Sequence, residues 1–273
     1  MNTRPQTQTP ALTQVVKIAQ FSDCHLFADK QAEHFGANVY QNLDKILADI
    51  SKQRDLDAII FTGDLSQDHS RESYHLFAEL VAKHNLVQPV HFLAGNHDDF
   101  DLMKQSLTGS AFAQTDVIEL DDWQLFLLNS TSSTPAGVVN ESDLLTLSSE
   151  LNANKQQLVF MHHHPVDAEY FIDRHGLTNQ PYFWQAIKRY PSIRAIACGH
   201  VHRGMQLVGP EQMPIFTCPA TSIMFGQDPE QLIAESLTPG YQVLTLALEK
   251  QLRDRQEQVQ AVNIDVSYHY LSN

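Results

Sequence analysis

The stretch VVKIAQFSDCH, residues 15–25, decides the fold. Val15 to Phe21 has the apolar, β-branched character of a buried strand, and it breaks at Ser22 into a polar Ser-Asp-Cys-His cluster. The same design recurs along the chain. DAIIFT (57–62) runs into Gly63-Asp64, PVHFLAG (89–95) into Asn96-His97-Asp98, QLVFM (157–161) into His162-His163-His164-Pro165, and SIRAIACG (192–199) into His200-Val201-His202. Between the first three runs lie amphipathic stretches. Residues 38–52 place Val39, Leu43, Ile46, Leu47 and Ile50 at helical spacing, and residues 70–84 open on Ser70 with Glu72 and Ser73 in the first turn. Strand and helix in alternation point to a layered α/β or sandwich-type fold.

Farther along, VIEL and WQLFLLNS (117–130) read as a hairpin around Asp121-Asp122. Helices follow at 141–153 and through Trp184 and Ile187, with strands at 205–208, 214–218 and 241–248. The charged, Gln-rich stretch 250–260 reads as a turn or a frayed helix. Neither a repeat nor a linker is visible, so residues 15–273 are expected to form one domain, with 250–273 as a C-terminal extension. Residues 1–14, rich in Thr, Gln and Pro, read as a disordered tail.

Composition narrows the function classes. Lys and Arg number 18 against 32 Asp and Glu, a formal net charge of −14, and no Lys/Arg run could neutralise a phosphate backbone. A nucleic-acid partner is therefore not expected. No apolar run approaches the ~18 residues that span a bilayer, and the N-terminus lacks a secretory core, so a cytoplasmic protein without a membrane partner is expected. Cys24, Cys198 and Cys218 form no CxxC pair and read as free, packed thiols. The anomaly is the 14 histidines, many of them in the strand-end clusters.

Asp-x-His at 23–25 and His-x-His at 200–202 put alternate side chains on one side if the chain stays extended. In open α/β sheets sites gather beyond the carboxyl ends of strands, where all five clusters fall. Their mixture of imidazole and oxygen donors suits Fe, Mn, Zn, Ni or Co better than Ca or Mg. A local concentration of cations would also let a strongly acidic protein take a small anion.

The set DxH (23–25), GDLSQD (63–68), GNHD (95–98), HHHP (162–165) and GHVH (199–202) resembles the calcineurin-like metallophosphoesterase superfamily over about residues 15 to 250. FSDCHLFA, GDLSQDHS, LAGNHDDF, FMHHHPV and CGHVH are most similar to the bacterial class III cyclic-AMP phosphodiesterases. The resemblance implies a four-layer α/β/β/α sandwich, two mixed β-sheets flanked by helices, around a binuclear centre of two divalent or mixed-valence metal ions. Asp23, His25, Asp64 and His202 would hold the first metal, and a bridging Asp64 with Asn96, His163 and His200 the second. His163 is taken because the family's ligand stands two residues before the proline, leaving His162 and His164 as packing or supporting histidines.

The implied activity is hydrolysis of 3′,5′-cyclic AMP to 5′-AMP by a metal-activated hydroxide, with Asn96, His97 and His202 facing the substrate and His97 and Asp98 catalytic. His97 would protonate the leaving oxygen or steady the phosphate. Asp98 would orient the His97 ring, cap the next helix, or do both, and Asp68 marks a helix start rather than a ligand. GDLSQDHS lacks the Asp-Arg-Gly of the related protein phosphatases, and nothing suggests a nuclease extension. A broad phosphodiesterase acting on 2′,3′-cyclic nucleotides or other small diesters shares every ligand, and a catalytically silent metal-binding interaction protein is the third reading. Base contacts would come from loops 26–36, 129–140, 166–180 and 219–230, where Phe27, Tyr170, Phe171, His175 and Phe225 either stack on a base or pack the loops. The C-terminal strand and tail would cover the site or join two copies in a homodimer, as is common in this group.

Overall fold

A computed structural model describes residues 12–253 and 256–272. In chain order the elements begin with β1 (Leu12–Phe21), β2 (Glu33–His34), β3 (Ala37–Asn38), α1 (Val39–Ile50), β4 (Ala58–Phe61) and α2 (Arg71–His84). Next come β5 (Val90–Phe92), α3 (Phe100–Ser106), β6 (Phe112–Ala113), β7 (Val117–Leu120), β8 (Trp123–Leu127), α4 (Glu141–Glu150) and β9 (Gln156–Met161). The chain continues through α5 (Gln180–Ile187), β10 (Ile193–Cys198), β11 (Met205–Val208) and β12 (Pro214–Thr217). It ends in β13 (Met224–Phe225), β14 (Ala234–Ser236), β15 (Gly240–Arg253) and β16 (Gln256–Tyr270).

Two mixed six-stranded sheets result, ordered β16-β15-β1-β4-β5-β6 and β11-β12-β10-β9-β8-β7. Strand alternation explains the layering. On β1, Ala19 and Phe21 join the cluster of α1 and α2, while Val16 and Ile18 face the second sheet. On β9, Leu158 and Phe160 face the first sheet, while Val159 and Met161 pack under α4 and α5. Each central strand is therefore apolar on both faces, which is why these runs read as continuously hydrophobic. The expected α/β/β/α sandwich is the observed one.

Local chemistry fixes the helix starts. Asn38 and Ser70 accept from the backbone N–H groups of Gln41 and Ser73 at the heads of α1 and α2. Asp99, not Asp98, caps α3 by accepting from Leu102 N–H at 3.0 Å.

Two expectations change. β1 begins at Leu12, so part of the expected tail is strand, and residues 1–11 lie outside the described residues. Residues 250–253 and 256–270 are strand rather than a turn or frayed helix. Val262, Ile264 and Val266 alternate inward against the inter-sheet layer, and that burial overrides the weak strand propensity of the Gln-rich approach. Residues 254–255 lie outside the described residues. Among the described residues no helix is long and apolar enough to cross a membrane.

Phe160, wholly buried between the sheets, gives a direct test of the sandwich. Phe160→Ala is expected to lower unfolding free energy by about 3–5 kcal/mol, read as a drop in urea midpoint at unchanged slope.

Candidate metal centre

The two sheets place the carboxyl ends of parallel strands β1, β4, β5, β9 and β10 along one shared edge. Beyond those ends the chain leaves extended geometry. Asp23, His25, Asp64, His200 and His202 all have left-handed backbones, with φ of 57°, 48°, 56°, 65° and 58°. Pairwise alternation therefore is not what brings Asp23 beside His25 or His200 beside His202. Each carboxylate or imidazole is instead aimed by a tight reversal costing roughly 1–3 kcal/mol, the kind of strain that persists only where its surroundings over-determine it. Here the loops lock one another: Asp23 N–H donates to Gly63 O at 2.9 Å, His25 N–H to Asp64 O at 3.1 Å, and His200 N–H to the Asp23 carboxylate at 3.1 Å. Gly95 is needed for the closest approach, since a Cβ there would fall 2.1 Å from Asp64 Oδ1.

Side-chain nitrogens and oxygens converge in two overlapping groups. In the first, His25 Nε2 lies 3.1 Å from His202 Nε2, and His202 Nε2 lies 3.4 Å from Asp23 Oδ1. In the second, His162 Nε2 lies 3.2 Å from Asn96 Oδ1 and 3.1 Å from His200 Nδ1. Asp64 Oδ2 faces both, 3.7 Å from His25 Nε2 and 3.4 Å from His162 Nε2. Donors held ~2.0–2.2 Å from one cation stand about 3.0–3.6 Å apart, so these spacings fit metal coordination. The ring tautomers fit as well. Nδ1–H of His162, His202 and His25 donates to Thr62 O at 2.7 Å, Ile223 O at 3.0 Å and Gln67 Oε1 at 2.8 Å, which turns the Nε2 lone pairs inward.

The electrostatics point the same way. Burial works against charge on Asp64, yet the facing His162, with His25 and His97, holds its carboxyl well below the usual range. Burial likewise opposes charge on His162, but Asp64 raises it to about 9. A buried carboxylate here requires positive charge beside it, and a cation between converging lone pairs would meet that requirement.

His162 is brought to Asp64, Asn96 and His200, and the expected His163 stands beside it, with a ring nitrogen within 4.8 Å of those of His162 and His200. Both His163 nitrogens also bond the neighbouring loop: Nδ1 accepts from Ser130 Oγ at 2.9 Å and Nε2–H donates to Pro135 O at 3.1 Å, which latches loop 129–138. Burial, then the neighbouring His162 charge, depresses its pKa to about 3. The alternation Leu158-Phe160-His162 carries the ring towards the inter-sheet centre, a signal present in the sequence. His164 meets Asp173 at 3.1 Å and anchors the turn at 171–175.

Asp98 also departs from expectation, since it neither touches the His97 ring nor caps a helix. Its oxygens accept from the N–H groups of Leu65 at 3.0 Å, Ser66 at 3.3 Å and Gly95 at 2.9 Å, tying the loop after β4 to the loop after β5. Burial and the nearby Asp64 push its pKa up to about 7. His97 itself faces the site, with its N–H on Asp64 Oδ1 at 2.9 Å. Asp68, as expected, serves a helix start, accepting from Ser70 Oγ at 2.6 Å and Ala28 N–H at 2.8 Å.

An open cavity of about 350 Å³ lies over these groups, floored by His25, Asp64, Asn96, His97, His200 and His202. Phe171, Ile172, His175 and Phe225 line its sides, and Phe35, Pro135 and Leu232 its exposed margin. All four expected loops thus contribute. Of the aromatic candidates, Phe27 packs against the helical core and Tyr170 is buried with its hydroxyl on Val201 O, so neither lines the cavity. The three cysteines are free and buried, and burial raises their thiol pKa values, so none is poised as a ligand or nucleophile.

Asp98→Ala strips three loop N–H donors of their acceptor. A loss of roughly 2–4 kcal/mol in unfolding free energy is expected by urea titration, without any change in helix content.

A sequence model described as calcineurin-like phosphoesterase matches residues 16–204. A probable cyclic nucleotide phosphodiesterase from Colwellia psychrerythraea is 44% identical over 245 residues, 88% of this chain and 93% of that protein. The 3′,5′-cyclic adenosine monophosphate phosphodiesterase CpdA of Vibrio vulnificus is 31% identical over 237 residues, 85% of each chain. A dimetal phosphatase from Danio rerio shares the fold at a TM-score of 0.61 and 12% identity, covering 91% of this chain and 98% of that one. The matched span takes in every strand end that contributes a donor, and on these grounds the chain belongs to the calcineurin-like phosphoesterase family.

Proposed function

We propose that the protein is a metal-dependent phosphodiesterase that hydrolyses 3′,5′-cyclic AMP to 5′-AMP. The observation that carries this reading is the Asp64 carboxylate facing two converging donor groups beneath an open, partly apolar cavity. The substrate follows from relatives named as cyclic-nucleotide phosphodiesterases, which align along most of this chain. Asp23, His25, Asp64 and His202 would hold one metal, and Asp64, Asn96, His162 and His200 the other. When bound, such a pair neutralises charge on the phosphate oxygens and makes water a nucleophile near neutral pH. Iron, manganese, zinc, nickel and cobalt all suit these donors.

The chain's own residues do the rest. Asn96, His97 and His202 face the phosphate. Hydrolysis breaks the P–O3′ bond as a water oxygen joins phosphorus, and the departing O3′ takes a proton from His97. Asp98 acts through loop geometry, not as a partner of that proton. The shared inter-sheet core supports reading residues 15–273 as one domain, within which 256–270 complete a sheet. Free cysteines accord with a cytoplasmic protein. The long edge strand β16 offers a surface for pairing two copies. A broader reading, with 2′,3′-cyclic nucleotides or other small diesters as substrates, draws on the openness of the cavity and uses the same groups.

Metal analysis of single variants tests the ligand set. His162→Ala is expected to lower metal content from two ions per chain towards one, while His163→Ala keeps both; the reverse pattern restores His163 as the ligand.

Kinetics test the reaction. Metal-loaded protein should favour 3′,5′-cyclic AMP in a panel of cyclic nucleotides and model diesters, and His97→Ala should lower kcat by about 10²–10⁴ with metal content intact. Faster turnover of the 2′,3′ isomer would establish the broader reading. A metal-loaded protein inert towards the whole panel would leave only an interaction role.

A further inference from the structure

At the cavity mouth one residue occupies a backbone conformation that its side chain disfavours. β2 and β3 pair through His34 and Ala37, which leaves Phe35 and Gly36 as a two-residue turn. Both are left-handed, with φ of 50° and 86°. Such a turn suits Asn-Gly, Asp-Gly or Gly-Gly, and a bulky residue at its first position is a steric outlier. The strain is not offset by burial, because Phe35 is 53% exposed and lines the cavity.

Its neighbours hold it in place. The His34 ring meets Phe35 edge-on at 4.8 Å and 88°, and stacks on His25 at 4.9 Å and 9°. Ala37 sits in the buried cluster of Tyr170, Ile172, Ile223 and Phe225. The hairpin is therefore fixed to the cavity floor on one side and to its wall on the other. The other phenylalanines of the lining are already engaged. Phe225 lies flat on His202 at 3.9 Å and 8°, Phe171 meets Phe225 at 5.1 Å, and both are buried. Phe35 is the exposed phenylalanine of this lining. Strain retained at an exposed apolar ring facing a site is accounted for by a role in that site.

We infer that Phe35 is the stacking face for the nucleobase of the substrate, an inference that rests on the cyclic-nucleotide reading above. Every base presents a π-face, so the contact selects nucleotides over base-free diesters rather than adenine over guanine.

The test compares kcat/KM for 3′,5′-cyclic AMP with that for abasic 3′,5′-cyclic ribose phosphate, in wild type, Phe35→Asn and Phe35→Trp. Asn suits the turn and lacks the ring. In Phe35→Asn the preference for the base-bearing substrate is expected to fall about tenfold, the loss of about 1.4 kcal/mol of stacking, while the urea midpoint rises. Phe35→Trp should keep the preference. An unchanged preference in Phe35→Asn, or an equal fall for both substrates, overturns the assignment. So does a lower urea midpoint in Phe35→Asn, which removes the strain it stands on. Wild-type protein inert towards every cyclic nucleotide overturns the functional reading itself, a result distinct from the others.

Discussion

Burying the Asp64 carboxylate where two sheets end sets the terms for everything around it. A lone carboxylate in such a place is unstable, and the chain answers with donors arranged for positive charge: His162 at 3.4 Å, His25 at 3.7 Å, and the His97 N–H on its other oxygen. With Asp64 itself, those groups come from four different strand ends. Satisfying one carboxylate therefore fixes how the first sheet sits against the second, and the layered core and the metal centre are two results of a single placement.

The backbone bears the strain of that convergence. Five donor residues adopt left-handed conformations, and the Asp98 carboxylate gathers three loop N–H groups to keep the loops from relaxing. Buried loops tied together by this many hydrogen bonds are rigid, so the donors are held in advance of any ligand. Rigidity sits at the floor and variation at the rim, where short hairpins and loops supply the side chains that face a substrate.

The sequence was legible wherever burial forced a pattern. Residues 15–21, 57–62 and 89–95 are apolar on both faces because helices cover one side and a second sheet the other, and their polar ends are the donor loops. What stayed hidden was decided by contacts that periodicity alone does not register. Three consecutive histidines look alike until the parity of Leu158 and Phe160 is followed into His162. Asp98 acts through backbone N–H groups that leave no sequence mark. The β2–β3 hairpin has two residues a side, too short for any periodicity, although Phe35-Gly36 sits where a turn dipeptide would. The alternation Val262-Ile264-Val266 announces β16, but the Gln-rich approach to it draws attention away.

Strand β1 carries Asp23 and His25 at its end, yet its antiparallel partner is β15, more than two hundred positions later in the chain. During vectorial synthesis β1 emerges well before β15, so the sheet that joins them closes only after more than two hundred further residues have been made. His200 and His202 also arrive long after the carboxylate they approach. Until β15 is made, β1 can pair with β4 along one edge while its other edge stays open, an interval in which the nascent chain is exposed to misassociation and to chaperone capture. An architecture whose donors run from Asp23 to His202 postpones cation binding until every strand that carries a donor has been made.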